Sequence, residues 1–454
     1  MTGSGTGDGY GDAADAGADT GTSTAGSTPR TAETASASAP GAHPHGSHGH
    51  GSHGHGARPR SSHTPGSHTP NSHTYSAHTH SGHTHSGHGA RPGFDPLRSL
   101  RAPGDPACDV YLTGTVFLDI VFTGMDSAPV LGTESWARGM GSSPGGVANM
   151  ATALARLGLR TSLAAAFGDD MYGDYCRDAL EHGEGIDLAL SHTVPGWHSP
   201  VTVSMAYDGE RTMISHGHAA PARESATAYD PQAPDCPPPS RACVTSLVPG
   251  DGGQDWITAA ARRGSRIFAD VGWDETGRWD LAALHDLPQC EAFLPNAAEA
   301  MRYTRTDCPR AAARALSAHV PVAVVTRGAD GACAVDARTG ESADVPAVPV
   351  EALDTTGAGD VFVAGFVTGS LAGWPLADRL AFAGLTAALS VQEFGGSLSA
   401  PGWAEIAAWW QRVRPLRGYG AYAFLDAVLT GCGSHGAPRR AVPTIGFRSG
   451  SRGA

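Results

Sequence analysis

Hydrophobic and polar positions follow two different periods between residues 106 and 415. Short, nearly continuous apolar runs rich in β-branched residues are typical of strands in a covered sheet. Between these runs, apolar residues recur every three or four positions, as on the buried side of an amphipathic helix. The pattern predicts strands at 109–121, 161–167, 266–270 and 321–326, and helices at 147–157, 296–303, 309–318, 360–372, 377–392 and 403–413.

The order of these elements predicts an α/β fold. Strands alternate with helices, and such alternation implies right-handed crossovers and a mostly parallel sheet. One pair of strands differs, because residues 201–207 and 212–215 alternate around the turn 208–211, which is typical of a β-hairpin. We expect this hairpin to lie outside the parallel sheet and to form a small β lid, built from residues 120–140 and 198–218.

The two ends of the chain have a different composition. Residues 1–105 consist of Gly, Ser, Thr, Ala, Pro and His with almost no large apolar side chains, so we expect them to be disordered. Fourteen His between residues 43 and 88 would suit Zn²⁺, Ni²⁺ or Cu²⁺, but repeat expansion in an unconstrained tail is the simpler interpretation. The Gly- and Arg-rich residues 416–454 are predicted to be irregular.

Charge and residue usage exclude several classes of protein. The net charge of -13 argues against a nucleic-acid-binding surface. The chain contains no lysine, which excludes a Walker-type phosphate loop and Schiff-base chemistry. No apolar run approaches the roughly 20 residues that span a bilayer. The eight Cys are scattered without Cys-x-x-Cys pairs, as in a cytoplasmic protein with reduced thiols, and we expect that location.

The strongest chemical motif is the segment Asp354-Thr355-Thr356-Gly357-Ala358-Gly359-Asp360, which leads into a predicted helix. Its two glycines allow a tight turn that exposes successive N–H groups, and the start of a helix adds the positive end of its dipole. Such a turn suits the charge on a phosphoryl group, and a carboxylate at its mouth suits a general base. The alternative is a plain turn in which Asp360 caps the helix.

Together with other motifs, this segment resembles the ribokinase-like (phosphofructokinase B) family of carbohydrate kinases. The resemblance runs from about residue 109 to residue 401. It implies an α/β fold with a mostly parallel sheet covered by helices on both faces and a small β lid. It also implies the transfer of a phosphoryl group from ATP, with Mg²⁺, to a hydroxyl group of a sugar or nucleoside.

The resemblance assigns the catalytic roles. Asp360 matches the family's catalytic base, and the amides of Gly357, Ala358 and Gly359 match its anion hole. Asn296 and Glu299 match the family's Asn-x-x-Glu motif, which helps to place Mg²⁺, through water, and the ATP phosphates. Two residues three apart lie on one face of a helix and can converge on one ion. The alternative for this pair is an ordinary helix start with an exposed glutamate.

The resemblance also assigns binding residues. The turn after the strand at 321–326 matches the family's nucleotide-binding turn, unless it is a plain strand-turn-strand hairpin. Asp119, at the end of the first predicted strand, matches a group that holds sugar hydroxyls, and Gly145-Gly146 with Asn149 matches the family's sugar-binding turn. The implied nucleotide-binding residues are Thr326, Gly328, Gly331 and Asn296, and the implied substrate-binding residues are Asp119, Gly145, Gly146 and Asn149.

Two further features bear on the substrate and on ions. Ribokinases carry Asn two positions before the strand-end Asp, where this chain has Phe117, so ribose itself is in doubt. The resemblance also implies a monovalent-cation (K⁺) loop that includes Asp354 and Thr356.

We therefore predict an ATP-dependent kinase of a small sugar or sugar acid. The alternatives are a nucleoside kinase, and a non-catalytic protein that binds sugar or handles metal through its His-rich tail. Because lid edges can pair between subunits, a homodimer formed through the lid is also predicted.

Overall fold

The protein is described here by a computed structural model of residues 94–207, 210–220, 237–250, 252–272, 274–430 and 440–447. The His-rich tail lies outside the described residues. Strands β1 to β15 are Cys108–Thr113, Val116–Thr123, Gly139–Gly146, Thr161–Ala164, Ala166–Gly168, His192–Val194, Val201–Tyr207, Glu210–His216, Ser240–Leu247, Arg266–Val271, Cys290–Phe293, Val322–Thr326, Ala332–Asp336, Ser342–Val345 and Thr444–Phe447. Helices α1 to α9 are Val147–Arg156, Met171–Asp178, Asp255–Arg262, Ala297–Thr304, Pro309–Leu316, Ala358–Leu371, Leu376–Ser390, Trp403–Val413 and Leu425–Leu429.

Eight strands form the main sheet in the order β14-β13-β12-β11-β10-β9-β1-β4. The six strands from β12 to β4 run parallel, and β13 and β14 are antiparallel to their neighbours, which confirms the predicted mostly parallel sheet. Val110 and Leu112 of β1 belong to one buried cluster, while Tyr111 belongs to another. Since successive side chains of a strand point to opposite faces, helices cover both faces of this sheet: α1, α6, α7 and α8 lie on one, and α3, α4 and α5 on the other.

A second sheet of five strands, in the order β15-β3-β2-β7-β8, forms the lid. It contains the predicted hairpin, because β7 and β8 pair in antiparallel register from Val201↔His216 to Tyr207↔Glu210. Among the described strands of the lid, β2 and β7 pair in parallel, and the other neighbours are antiparallel. The hairpin therefore lies outside the main sheet, as predicted.

Two predicted strands are each divided in the structure. The apolar run 109–121 forms β1 in the main sheet and β2 in the lid, with Gly114 and Thr115 between them. The run 161–167 forms β4 in the main sheet and β5, which pairs with β6 in a separate two-stranded sheet. Hydrophobicity alone does not mark these divisions, because both halves of each run are buried.

The folded region is longer than predicted at both ends. It includes residues before 106, since Leu97 is fully buried. The prediction that residues 416–454 are irregular is wrong for α9 and for β15, which pairs with β3. The physical reason is aromatic packing, because Tyr422 is buried with its ring centroid 4.9 Å from that of Trp409.

In the described part of the chain, no helix has both the length and the apolar character needed to cross a membrane.

Candidate active site

The glycine-rich segment forms the start of α6. Helix α6 begins at Ala358, and Gly357 precedes it with a φ of 71°, a left-handed conformation that favours glycine. A Cβ at this position would also lie 2.8 Å from the Cα of Gly396. Asp360 is half-buried and lies in the first turn of the helix, so the alternative in which it caps the helix is wrong.

Asn149 lies directly beside Asp360. Its Nδ2 donates a hydrogen bond to Oδ2 of Asp360 across 2.9 Å, and α1 packs against α6 at this point. The oxygen of the same amide, Oδ1, is buried without a hydrogen-bond partner among the described residues. Asn149 therefore links the carboxylate to Gly145 and Gly146, which the structure places at the end of β3, directly before α1. It also presents one unsatisfied acceptor.

Asp119 and Gly145 form the second pair of predicted residues that the structure brings together. The prediction that Asp119 ends the first strand is wrong, since it lies inside β2 of the lid, paired with Ser143 of β3 and Thr202 of β7. Its side chain is buried against Gly145, where an added Cβ would lie 1.9 Å from Oδ2 of Asp119. Only glycine therefore leaves space for this carboxylate.

Asn296 and Glu299 form a capping box at the start of α4. The Oδ1 of Asn296 accepts from the N–H of Glu299 at 3.0 Å, and Oε2 of Glu299 accepts from the N–H of Asn296 at 2.9 Å. The pair is thus a true helix start, but Glu299 is buried rather than exposed. Asn296 also bridges to Thr326 at the end of β12, so both motifs lie at the carboxyl edge of the main sheet.

Asp270 lies at the same edge and was not predicted from the sequence. Burial raises its pKa to about 6, although a hydrogen bond with Ser246 acts in the opposite sense. The pKa of Glu299 is raised too, by burial and by the charge of Asp270. The sequence signal for Asp270 was a carboxylate near the end of the otherwise apolar strand Arg266–Val271.

The predicted nucleotide turn joins two antiparallel strands, β12 and β13. Gly328 lies in the short turn, and the N–H of Arg327 donates to the carbonyl oxygen of Gly331 at 2.8 Å. Thr326 ends β12 half-buried. The motif is therefore a strand-turn-strand hairpin whose first strand ends beside Asn296.

The predicted monovalent-cation residues connect two loops. Oδ1 of Asp354 accepts from the N–H of Thr356 at 2.9 Å, and Oδ2 accepts from the N–H of Gly395 at 3.0 Å. Both Asp354 and Thr356 are buried. These bonds hold the segment before α6 against the loop that follows α7.

A carboxylate in the first turn of a glycine-capped helix, an asparagine bonded to it and carboxylates at the carboxyl edge of a parallel sheet form an arrangement that suits phosphoryl transfer. Residues 121–403 match the sequence profile of the pfkB family carbohydrate kinases. The chain belongs to this family. It is a phosphotransferase whose acceptor is a sugar or a nucleoside.

Individual relatives of this chain include both a sugar kinase and a nucleoside kinase. The chain is 38% identical over 132 residues to a ribokinase of Schizosaccharomyces pombe, a match that covers 27% of this chain and 41% of that enzyme. It is 29% identical over 299 residues to a nucleoside kinase of Methanothermobacter thermautotrophicus, covering 64% of this chain and 92% of that enzyme. The structure of Arabidopsis thaliana ribokinase complexed with ribose and ATP has the same fold, with a TM-score of 0.55 and 22% identity over 67% of this chain and 98% of that one.

Proposed function

We propose that this chain transfers the γ-phosphoryl group of ATP to a hydroxyl of a small sugar or sugar acid. The observation that carries the proposal is the hydrogen bond between Asn149 and Asp360, because it joins a carboxylate at the start of α6 to the predicted substrate turn. The similarity to a ribokinase of Schizosaccharomyces pombe supports a sugar as the acceptor.

Asp360 is the proposed general base. Its carboxylate accepts the proton of the acceptor hydroxyl as that oxygen forms a bond to the γ-phosphorus, and the bond from the γ-phosphorus to the bridging oxygen of ADP breaks. The amides of Gly357, Ala358 and Gly359 lie at the positive end of the α6 dipole, which stabilises negative charge on the transferring group. In the structure, the N–H of Ala358 makes a long bond of 3.3 Å to the carbonyl oxygen of Thr355.

Asp119, Gly145, Gly146 and Asn149 are the proposed acceptor site. The carboxylate of Asp119 is buried against a glycine, so a sugar that binds here contacts a charged hydrogen-bond acceptor and backbone atoms that no side chain covers. The buried Oδ1 of Asn149 offers a second acceptor. Sugar hydroxyls are the donors that such groups bind, and leaving the buried Oδ1 of Asn149 unpaired costs free energy.

The nucleotide is proposed to lie along the carboxyl edge of the main sheet, at Asn296, Thr326, Gly328 and Gly331. When bound with ATP, Mg²⁺ neutralises charge on the phosphates. The residues present fit it, because Glu299 is a buried carboxylate and Oδ1 of Asp270 is a buried oxygen without a partner among the described residues. Hard oxygen ligands of this kind, in small number, suit Mg²⁺.

Replacement of Asp360 tests the proposed reaction. Asp360→Asn is expected to keep the fold and ATP binding and to lower turnover by roughly 10²–10⁴, the usual contribution of a general base. Asp378→Asn is the matched control, since Asp378 lies in the first turn of the neighbouring helix α7. Turnover by Asp360→Asn at the wild-type rate would overturn the mechanism.

A panel of acceptors tests the substrate class. Turnover with fructose, ribose, 2-keto-3-deoxygluconate and adenosine is compared at equal concentration. The second candidate, a nucleoside kinase, is favoured by the match to 92% of the length of the Methanothermobacter enzyme, and it requires adenosine to be preferred. A non-catalytic protein that binds sugar or handles metal requires that no acceptor is phosphorylated, with or without residues 1–93.

Two further proposals accompany this function, one on assembly and one on ion binding. Exposed Met213 and Ile214 on the edge strand β8 support a homodimer through the lid, which sedimentation of the full chain tests. The second proposal is that K⁺ binds beside Asp354 and Thr356. Activity is then expected to be higher in KCl than in choline chloride. The cytoplasmic location stays a prediction.

A further inference from the structure

Ser143 lies on the same face of the lid as Asp119. The two residues are paired across β3 and β2, and side chains that are directly opposite in such a pair point to one face of the sheet. Gly145, two positions further along β3, lies on that face too, where it leaves the space that the Asp119 carboxylate occupies. Ser143 is therefore a neighbour of the proposed acceptor residues, although it lies before the motif that the sequence predicts.

The loop that follows α7 packs against this face of the lid. A Cβ added to Gly395 would lie 2.7 Å from Oγ of Ser143, and the N–H of Gly395 donates to Oδ2 of Asp354 at 3.0 Å. The hydroxyl of Ser397 donates to the carbonyl oxygen of Pro144, a bond that attaches β3 to the same loop. Ser143 therefore lies between the lid and the segment that leads into α6.

The next residue of that loop contacts Asn149. A Cβ added to Gly396 would lie 2.5 Å from Oδ1 of Asn149, and one added to Gly357 would lie 2.8 Å from the Cα of Gly396. Consecutive Cα atoms are about 3.8 Å apart. The Ser143 hydroxyl and the Asn149 amide therefore approach neighbouring points of one loop, beside the anion hole proposed at the start of α6.

Both of these polar atoms are unsatisfied. Ser143 is 1% exposed and Asn149 is 5% exposed. Neither Oγ of Ser143 nor Oδ1 of Asn149 has a hydrogen-bond partner in the described part of the chain. A buried polar group without a partner costs free energy and is uncommon in folded proteins, which indicates that a polar ligand binds to these two atoms.

We propose that Ser143 is a specificity-determining residue of the acceptor site. Its hydroxyl and Oδ1 of Asn149 bind a second hydroxyl of the acceptor, close to the hydroxyl that Asp360 deprotonates. This second hydroxyl donates to Oδ1 and accepts from the Ser143 hydroxyl. The Asn149 amide places it there, because Nδ2 bonds to Asp360 and Oδ1 is attached to the same carbon. The inference rests on the proposed function, and it restricts the acceptor to molecules that carry two hydroxyl groups close together, as sugars do.

Kinetics with monodeoxy analogues test this role. The parent acceptor is whichever of fructose, ribose, 2-keto-3-deoxygluconate and adenosine has the highest kcat/KM with wild type, and each analogue lacks one hydroxyl. In wild type, one analogue is expected to have a roughly tenfold lower kcat/KM than the parent, because it leaves buried groups unpaired. In Ser143→Ala, the KM for the parent is expected to rise roughly tenfold while kcat stays within about twofold. The penalty for that analogue is expected to fall to about threefold or less, since the two changes remove the same bond.

Thermal unfolding separates this role from a structural one. Without acceptor, Ser143→Ala is expected to unfold at the same temperature as wild type or at a higher one, because it removes an unsatisfied buried hydroxyl. With the parent acceptor, its increase in Tm is expected to be smaller than that of wild type. Ser143→Cys, which keeps the size of the side chain and only a weak donor, serves the same comparison if the Ala variant does not fold.

Ser162→Ala is the matched control. Ser162 is also buried in a strand, and its hydroxyl has no partner among the described residues, but β4 belongs to the main sheet. This variant is expected to show the wild-type KM and the wild-type penalty for every analogue.

Equal KM values and equal penalties in wild type and Ser143→Ala would overturn the inference. It would also be overturned if Ser143→Ala unfolded several degrees lower and lost activity equally with parent and analogues, or if only the response to KCl changed. If wild type phosphorylates none of the four acceptors, but one of them raises its Tm more than that of Ser143→Ala, the inference stands and the proposed reaction is refuted. If none of the four is phosphorylated or raises the Tm of wild type, both are overturned.

Discussion

The amide of Asn149 donates its Nδ2 hydrogen to Oδ2 of Asp360 across 2.9 Å, although the two residues lie 211 positions apart. Each is the third residue of its helix, α1 or α6. Each helix is preceded by a glycine with positive φ, 63° at Gly146 and 71° at Gly357. A hydrogen bond between two helix starts therefore joins the predicted substrate turn to the predicted base.

Loss of this bond is expected to impair catalysis more than binding. Asn149→Leu keeps the volume but removes the donor, and a bond to a charged group contributes about 1.5–3 kcal/mol, so kcat is expected to fall roughly 10–100-fold. The acidic limb of the kcat profile is expected to move to higher pH, because the ionised carboxylate loses a donor. Steady-state kinetics across the pH range check both effects.

The matched control for that variant is Thr152→Val, which changes another buried polar residue of α1 whose hydroxyl has no hydrogen-bond partner among the described residues. It is expected to leave kcat unchanged. A variant of Asn149 with normal kcat, an unmoved pH profile and only a raised KM for the sugar would show that this residue serves binding alone.

Adding one methyl group to the substrate turn is expected to displace Asp119. In Gly145→Ala the new Cβ would lie 1.9 Å from Oδ2 of Asp119, so the carboxylate must move. The KM for the sugar is expected to rise about tenfold or more, at a cost to stability of about 1–3 kcal/mol. Gly446→Ala in β15 is the control, since a Cβ there meets nothing within 4 Å. An unchanged KM would remove Asp119 and Gly145 from the acceptor site.

The start of the folded chain depends on a buried ion cluster. Asp109 is fully buried and pairs with Arg101 at 2.5 Å, with Arg160 at 3.0 Å and with Arg241 at 3.5 Å. Asp109→Asn is expected to cost about 3–5 kcal/mol of unfolding free energy, because it removes the fully buried carboxylate that three guanidinium groups share. Urea unfolding measures this cost. Asp126→Asn is the control, and its exposed pair with Arg138 is expected to contribute less than about 1 kcal/mol.

The same cluster predicts a pH dependence of stability. Burial would raise the pKa of Asp109, but hydrogen bonds from Arg101 and Arg160 outweigh it and hold the pKa below its usual value. A lowered pKa in the folded state means that the stabilisation is complete above the unfolded-state pKa of about 4 and is lost as pH falls through the folded value. The greater free energy of unfolding of wild type relative to Asp109→Asn is therefore expected to disappear only at acidic pH. A constant difference down to the lowest pH at which the protein folds would contradict this.

Residues 440–447 connect the lid to helix α8. Arg440 makes two bonds to Glu405 of α8, at 3.0 and 2.8 Å, the N–H of Ala441 donates to Glu184, and β15 then pairs with β3. Arg440→Ala is expected to cost about 1 kcal/mol, and deletion of 440–454 is expected to raise the KM for the sugar as well, since β3 carries Gly145. Arg414→Ala, in an exposed pair with Asp426, is the control. An unaltered KM after the deletion would show that the proposed acceptor site does not depend on β15.

Much of the fold was predictable because local patterns carry it. The helix predicted at 147–157 is α1, Val147–Arg156, and the one predicted at 403–413 is α8, because burial of one side determines each helix. The hairpin of residues 201–207 and 212–215 was predictable from alternation and its turn. The division of 109–121 between two sheets was not, because both sheets bury apolar side chains and the pattern is the same on either side of Gly114.

The sequence by itself determined the class of reaction, since the segment from Asp354 to Asp360 occurs together with the Asn296/Glu299 and Gly145-Gly146 motifs, and this combination resembles one family of kinases. The segment alone is compatible with a plain turn as well as with an anion site. The tertiary structure decided which groups surround that segment. Asn149 reaches Asp360, and Asp270 reaches the neighbourhood of Glu299, only because α1 packs on α6 and because parallel strands end at one edge. Contacts between distant residues depend on how elements pack, and no local pattern in this chain records that packing.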